Sequence, residues 1–273
     1  MTDAVVDIAP GAEVSRPEPL EGAPVFFMHI AKTAGSYLNA VLTEALGPSQ
    51  VATHVEHRLG SASDLSAMLD GGCRLISGHV MNGLWNDIAG GVGTGFRKIT
   101  ILREPIAHLA SHLLWLDHYN QPEHRTDYML LDEAHQRVVD RIGAVDLNDI
   151  GHLDHYLTNL NPTEIRLFDN CQSRYFLAAG RRDPSLTRPL SLADVRGLHG
   201  AIDEFDLILS QNRMEAGLAA LSDLLNVKLA PLPDRVNEGR ATRVIDTSGV
   251  LVRQVLSRRT LVDQWLWRQV QGG

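Results

Sequence analysis

The chain has 273 residues, with 33 acidic against 25 basic for a net charge of −8, 12 histidines and two cysteines. That length buries a sizeable core, which excludes a small stapled fold, and the acidic balance argues against a broad polyanion-binding surface, so nucleic acid is not an expected main partner. Cys73 and Cys171 show neither metal spacing nor a disulfide framework, no apolar run reaches the roughly 18 residues of a spanning helix, and no basic start precedes a hydrophobic stretch; the expectation is a cytoplasmic protein without a transmembrane segment.

Residues 1–22, rich in Pro, Glu, Gly and Ala, read as a mobile acidic leader, and 23–273 as one domain. Val25, Phe26, Phe27, Met28 and Ile30 form the near-continuous apolar run of a parallel strand buried on both faces. A helix is predicted over 34–46, stopped by Gly47 and Pro48. A short strand over 50–54, a Ser-capped helix over 63–69 and a strand over 73–77 ending in Gly78 and His79 come next. The strand over 97–102 runs into Arg103-Glu-Pro105, and a helix over 106–119 begins with that proline. Strand and helix alternate across 24–119, the pattern of a parallel sheet with helices on both faces. Helical spacing over 132–142, 147–160 and 171–179 predicts a helical insert at about 126–180. A last strand over 205–210, a helix over 213–225, an ordered loop over 227–243 and one amphipathic helix over 247–270 complete the chain. Trp265 and Trp267 either pack that helix on the core or serve a homodimer contact. The fold class is α/β: a P-loop-like three-layer arrangement of a central parallel sheet flanked by helices, plus a helical lobe.

Chemistry concentrates where the first strand hands over to its helix through Lys32-Thr-Ala-Gly-Ser36. The first N–H groups of a helix point into such a turn and its dipole favours negative charge there, so phosphate or sulfate is the natural guest. Of the 25 basic residues only Lys32, Lys98 and Lys228 are lysines. At Lys32 a compact ammonium suits point contact with several oxygens better than a planar guanidinium. Arg103 stands at the carboxyl end of a strand, where open sheets bind ligands, and Ser111 two turns along the next helix. Histidine pairs at His108/His112, His54/His57 and His152/His155 have spacings that can share a face, but no His-Glu-x-x-His arrangement and no third ligand is evident, so no metal is expected.

Residues 29–38, His-Ile-Ala-Lys-Thr-Ala-Gly-Ser-Tyr-Leu, resemble the nucleotide-binding loop of sulfotransferases that use 3′-phosphoadenosine 5′-phosphosulfate (PAPS), in particular the carbohydrate branch with the heparan sulfate 2-O- and 6-O-sulfotransferases. The stretch 99–112, with Leu102-Arg-Glu-Pro105 and a serine eight positions after Arg103, is similar to that family's 3′-phosphate motif. Ile76-Ser-Gly-His-Val80 resembles the segment that supplies the catalytic base, and 169–180 the Asn-x-Gln-Thr-Arg-x-Leu-x-Gly helix. A weaker match lies at 235–238. Ala31 replaces a usual Pro, Tyr37 a common Ser, Glu104 a usual Asp, and Ser77 the first of two paired histidines.

The resemblance implies that Lys32, Thr33, Ala34, Gly35, Ser36 and Tyr37 hold the sulfonated end of PAPS. It places Arg103 and Ser111 on the 3′-phosphate and Arg174 among the cofactor-binding residues, and it makes His79 the base. The implied reaction moves a sulfuryl group to a hydroxyl of a glycan, glycolipid or small metabolite and releases 3′-phosphoadenosine 5′-phosphate (PAP). A non-catalytic nucleotide-binding protein of the same fold and a P-loop kinase are the alternatives. Against the kinase, Gly-x-x-x-x-Gly-Lys-[Ser/Thr] is absent.

Overall fold

The computed structural model describes residues 22–180, 182–232 and 243–271. Residues 1–21 of the 1–22 leader, the weak match at 235–238 and much of the 227–243 loop lie outside the described residues.

Five parallel strands, β1 Val25–Met28, β2 Val51–Ala52, β3 Leu75–Gly78, β4 Arg97–Leu102 and β5 Leu207–Ser210, form one sheet in the order β2-β3-β1-β4-β5. The molecule is thus an α/β three-layer fold, as the alternation of strand and helix predicts. Every β1 residue is fully buried because both faces are covered. Phe26 and Met28 point to one layer, where Phe26 stacks on Trp85 at 3.8 Å between ring centroids. Val25 and Phe27 point to the other. Each such side chain contributes about 1.5–3 kcal/mol of burial, which is why this strand reads as continuous rather than alternating.

The Val25 layer is built by α1 Gly35–Leu46 and α11 Met214–Leu225. On the Phe26 side lie α2 Ala62–Asp70, α3 Asn82–Gly90, α9 Cys171–Leu177, α10 Val195–Ile202 and α13 Leu261–Gln271. A second apolar cluster joins α4 Pro105–Asp117 to α6 Glu133–Gly143, α7 Ile150–Thr158, α8 Pro162–Phe168 and α12 Val250–Ser257. With the short α5 Arg125–Leu130 these make the helical lobe. The predicted insert over 126–180 therefore divides. Its last helix, α9, leaves the lobe and packs Phe176 under the sheet.

The predicted single helix over 247–270 is instead two, α12 and α13, parted at 258–260. Tight turns close α12, with Arg259 N–H donating to the Leu256 carbonyl and Thr260 N–H to that of Ser257. The Asn170 side chain then accepts the Val262 and Asp263 N–H groups at 2.7 and 3.2 Å, capping α13. Asp263 returns the bond, accepting the Ser173 and Gln172 N–H groups at the start of α9 at 2.7 and 3.3 Å. Two helix ends thus satisfy each other's orphan donors. Both tryptophans of α13 pack on the sheet-side core, Trp265 against the His199 ring at 4.6 Å.

Register positions the site. Met28 pairs with Gly78 on one side and with Thr100 on the other, so the chain leaves all three central strands at one edge, at His29, His79 and Arg103. No helix among the described residues is long and apolar enough to cross a membrane.

Candidate functional site

At the carboxyl edge of the sheet the β1–α1 turn is held in an unusual backbone shape. Lys32 and Ala34 have φ of 66° and 72°, the left-handed region, at about 1–2 kcal/mol per non-glycine residue. Thr33 fixes the turn from inside, its fully buried hydroxyl donating to the Ile30 carbonyl at 2.8 Å. Gly35 has no alternative there: a Cβ would stand 2.0 Å from the His29 ring. Ala34 has no capping side chain, and the first helical bond runs from Leu38 N–H to the Ala34 carbonyl at 3.2 Å. The N–H groups of Gly35, Ser36 and Tyr37 consequently have no acceptor among the described residues, and neither does the half-buried Ser36 hydroxyl.

Two cations converge on this turn. Arg103 donates from Nη1 to the Lys32 carbonyl at 3.2 Å, while Gln172 clamps the Arg103 backbone from both sides, accepting its N–H at 2.9 Å and donating to its carbonyl at 3.0 Å. Arg103 Nε is buried without a partner. The Lys32 ammonium sits 5.7 Å from the Trp115 ring centroid. Among the described residues neither cation has a carboxylate in ion-pair range, since Glu104 instead caps α4 through the Ala107 N–H at 2.7 Å and faces Arg253 at 3.6 Å. Burial first, then the neighbouring Arg103, lowers the Lys32 pKa, and burial lowers that of Arg103 against a smaller opposing effect of Glu104. Desolvated in this way, each cation would be stabilised in its charged form by an anion beside it.

α4 packs directly on the turn. His108 Nε2 meets the Ala31 carbonyl at 2.8 Å, and Trp115 lies under Lys32. Ser111, three residues after the first and four before the second, shares that helical face. It is half-buried, and its hydroxyl is without a partner among the described residues.

His79 leaves β3 beside the turn, its ring 4.4 Å from that of His29. Its Nδ1 lies 2.7 Å from the His29 carbonyl, which can only accept, so the neutral ring carries its proton on Nδ1 and keeps a lone pair on Nε2. Tyr175 approaches the same Nδ1 at 3.4 Å. Glu56 accepts the His79 backbone N–H at 3.0 Å. Desolvation lowers the His79 pKa, with the Glu56 charge opposing it. Burial pushes His29 down to about 3 and His108 to about 4, so both are neutral.

Three expectations change. Arg174 is 1% exposed, and its guanidinium is occupied: it donates to both the carboxylate and the carbonyl of Asp169 at 2.6 Å, to the Arg188 carbonyl at 2.8 Å, and to the Ser185 carbonyl. It is a buried structural ion pair, not a cofactor contact; in its segment Gln172 and Tyr175 are the residues that reach the site. We expect Arg174→Leu to lower stability by about 3 kcal/mol or more, because Asp169 is left in the interior without its closest cation. An unchanged urea midpoint would contradict this. The Thr33 hydroxyl serves the turn, and the Tyr37 hydroxyl accepts the Leu232 N–H at 3.2 Å, so both hydroxyls are engaged within the fold.

One histidine pair finds a third partner that spacing did not reveal, and one member of a second pair joins two residues outside it. His108 and His112 lie with Cys171, and His54 with Glu56 and His79, one ligand atom of each within 4.8 Å of the others in its group. Gln172, Tyr175, Glu56 and His29 are site residues that sequence reasoning did not name; the first two and His29 lay inside the stretches that carry the resemblance, whereas nothing in the sequence marked Glu56.

Compared with models of known protein families the chain gives no match, and no curated protein matches it.

Proposed function

We propose that the protein transfers a sulfuryl group from PAPS to a hydroxyl of a carbohydrate, glycolipid or small metabolite. The observation that carries the reading is the convergence of Lys32 and Arg103, two half-buried cations with no carboxylate partner among the described residues, on a turn whose next three N–H groups have no acceptor among those residues. A nucleotide with two anionic groups, one on the turn with Lys32 and the other on Arg103, completes that arrangement.

In the reaction His79 Nε2 takes the acceptor's hydroxyl proton, and the acceptor oxygen attacks sulfur in line. The bond from sulfur to the bridging oxygen of the 5′-phosphate breaks, its electron pair stays on that oxygen, and PAP departs. Lys32, with the N–H groups of the turn and the Ser36 hydroxyl, meets the charge that builds on the leaving oxygen. As in phosphoryl transfer, positioning and electrostatics supply most of the rate. Arg103 and Ser111 hold the 3′-phosphate and select PAPS over nucleotides that lack it.

Transfer of labelled sulfate from PAPS to a panel of hydroxylated acceptors, read by mass, tests the reaction. PAP binding without transfer to any acceptor would favour a non-catalytic nucleotide-binding role, and absence of PAP binding would overturn the reading. Arg103→Ala is expected to weaken PAP by about 2 kcal/mol or more, the scale of a charge-assisted bond lost from a desolvated site. Calorimetry returning the wild-type affinity would remove Arg103 from the nucleotide site.

A further inference from the structure

The α2 side of the site carries a cluster that sulfuryl transfer does not use as a whole. Glu56 Oε2 is committed to the His79 N–H, but Oε1 faces two imidazoles, His54 Nδ1 and His57 Nε2, each at 3.7 Å. With one ring nitrogen of His79, His54 and Glu56 present three ligand atoms within 4.8 Å of one another. A tetrahedral zinc ion with bonds of roughly 2.0–2.2 Å needs its ligand atoms about 3.3–3.6 Å apart, so the observed 3.7 Å between His54 and Glu56 lies within a few tenths of an ångström of a bound separation for that pair.

The local fold holds these groups in place. His54 is in the left-handed region, φ 52°, which turns the chain between β2 and the short turn carrying Glu56. Gly78 lets the carboxylate approach, since a Cβ there would stand 2.6 Å from Glu56 Oε2. The His54 side chain is 60% exposed, so the cluster opens to solvent.

We propose that His54, Glu56 and His79 bind a zinc-class divalent cation, with water in the fourth position, and that the bound metal switches off His79 as a base. Two neutral imidazoles and one carboxylate form a borderline nitrogen and oxygen donor set, which favours zinc over magnesium or calcium. The block does not depend on which ring nitrogen binds. Metal on Nε2 occupies the lone pair that would take the proton; metal on Nδ1 displaces that nitrogen's proton to Nε2, which then donates and no longer accepts. The buried group of His108, His112 and Cys171 is less suited, because Lys32 places positive charge beside both imidazoles and Arg103 beside that of His108.

The metal site stands on this geometry alone, whereas its effect on turnover rests on the transfer reaction proposed above. The full chain, stripped with a chelator, is titrated with Co2+ and followed by visible absorption, with Zn2+ binding measured by calorimetry. One Co2+ is expected per chain, with d–d bands and no thiolate charge-transfer band. His54→Ala and Glu56→Gln should each weaken it at least about tenfold, the scale of losing support at a metal site. His54 is exposed, so its variant removes a ligand without disturbing the core. Wild-type affinity in His54→Ala, no Co2+ binding, or a thiolate band that disappears in Cys171→Ser would each overturn the assignment. Zn2+ should suppress sulfuryl transfer in the wild type while PAP affinity stays unchanged, and His54→Ala should relieve the suppression. Full turnover with the site saturated would overturn the block but not the site; metal binding as described without transfer under any condition would support the site and count against the transferase.

Discussion

Lys32→Ala is expected to lower turnover at least about a hundredfold, the usual cost of removing one preorganised donor from a developing negative charge. Lys32 is half-buried, its ammonium 5.7 Å from the Trp115 ring centroid and within electrostatic reach of Arg103, so its interaction with a leaving oxygen is screened less than at an open surface. Alanine keeps the left-handed strain at position 32, where φ is 66°, and should fold like the wild type. Lys32→Arg should rescue poorly, because a planar fork cannot make the same point contact. Single-turnover rates with saturating PAPS and a labelled acceptor give the measurement, and a wild-type rate in Lys32→Ala would remove the turn from the chemistry.

His79→Ala should also cost at least about a hundredfold, within the range for a general base. The pH profile provides the sharper signature. Burial holds the His79 pKa below the ordinary 6.5, so the neutral, proton-accepting form persists below that value and the acid limb of turnover falls on its low side. Glu56 opposes this shift, so in chelator-treated protein Glu56→Gln should move the limb further towards acid. An acid limb that persists unchanged in His79→Ala would assign it to another group.

The sheet and the turn were legible because buried parallel strands read as unbroken apolar runs. β4 occupies the predicted 97–102, and Lys32, His79 and Arg103 were marked by standing just past strand ends. α3 escaped notice, since Asn82, Gly83, Asn86 and Gly90 weaken its helical pattern. The glycine at 83 answers to tertiary contact: a Cβ there would stand 2.5 Å from the Ala179 backbone. The break at 258–260 was invisible because apolar spacing continues across it, while its cause, the Asn170 cap, lies some 90 residues earlier. Arg174 matched a motif position yet pairs inward with Asp169, and spacing cannot tell an arginine that meets a ligand from one that meets a buried carboxylate. Glu56 joins His79 only through the pairing of β2 with β3, a long-range relation that no local pattern encodes.

The mutual capping of α9 and α13 extends to the anion turn, for Asp263 secures the start of α9, and Gln172 on that first turn grips the backbone of Arg103. The guanidinium is therefore aligned by a helix that the ribosome makes more than 150 residues after Arg103 itself. A nascent polypeptide halted before residue 261 would carry the lysine turn, the whole sheet and Gln172, yet lack the carboxylate that fastens the helix bearing Gln172, so the brace on the arginine is completed only once residue 263 has been made.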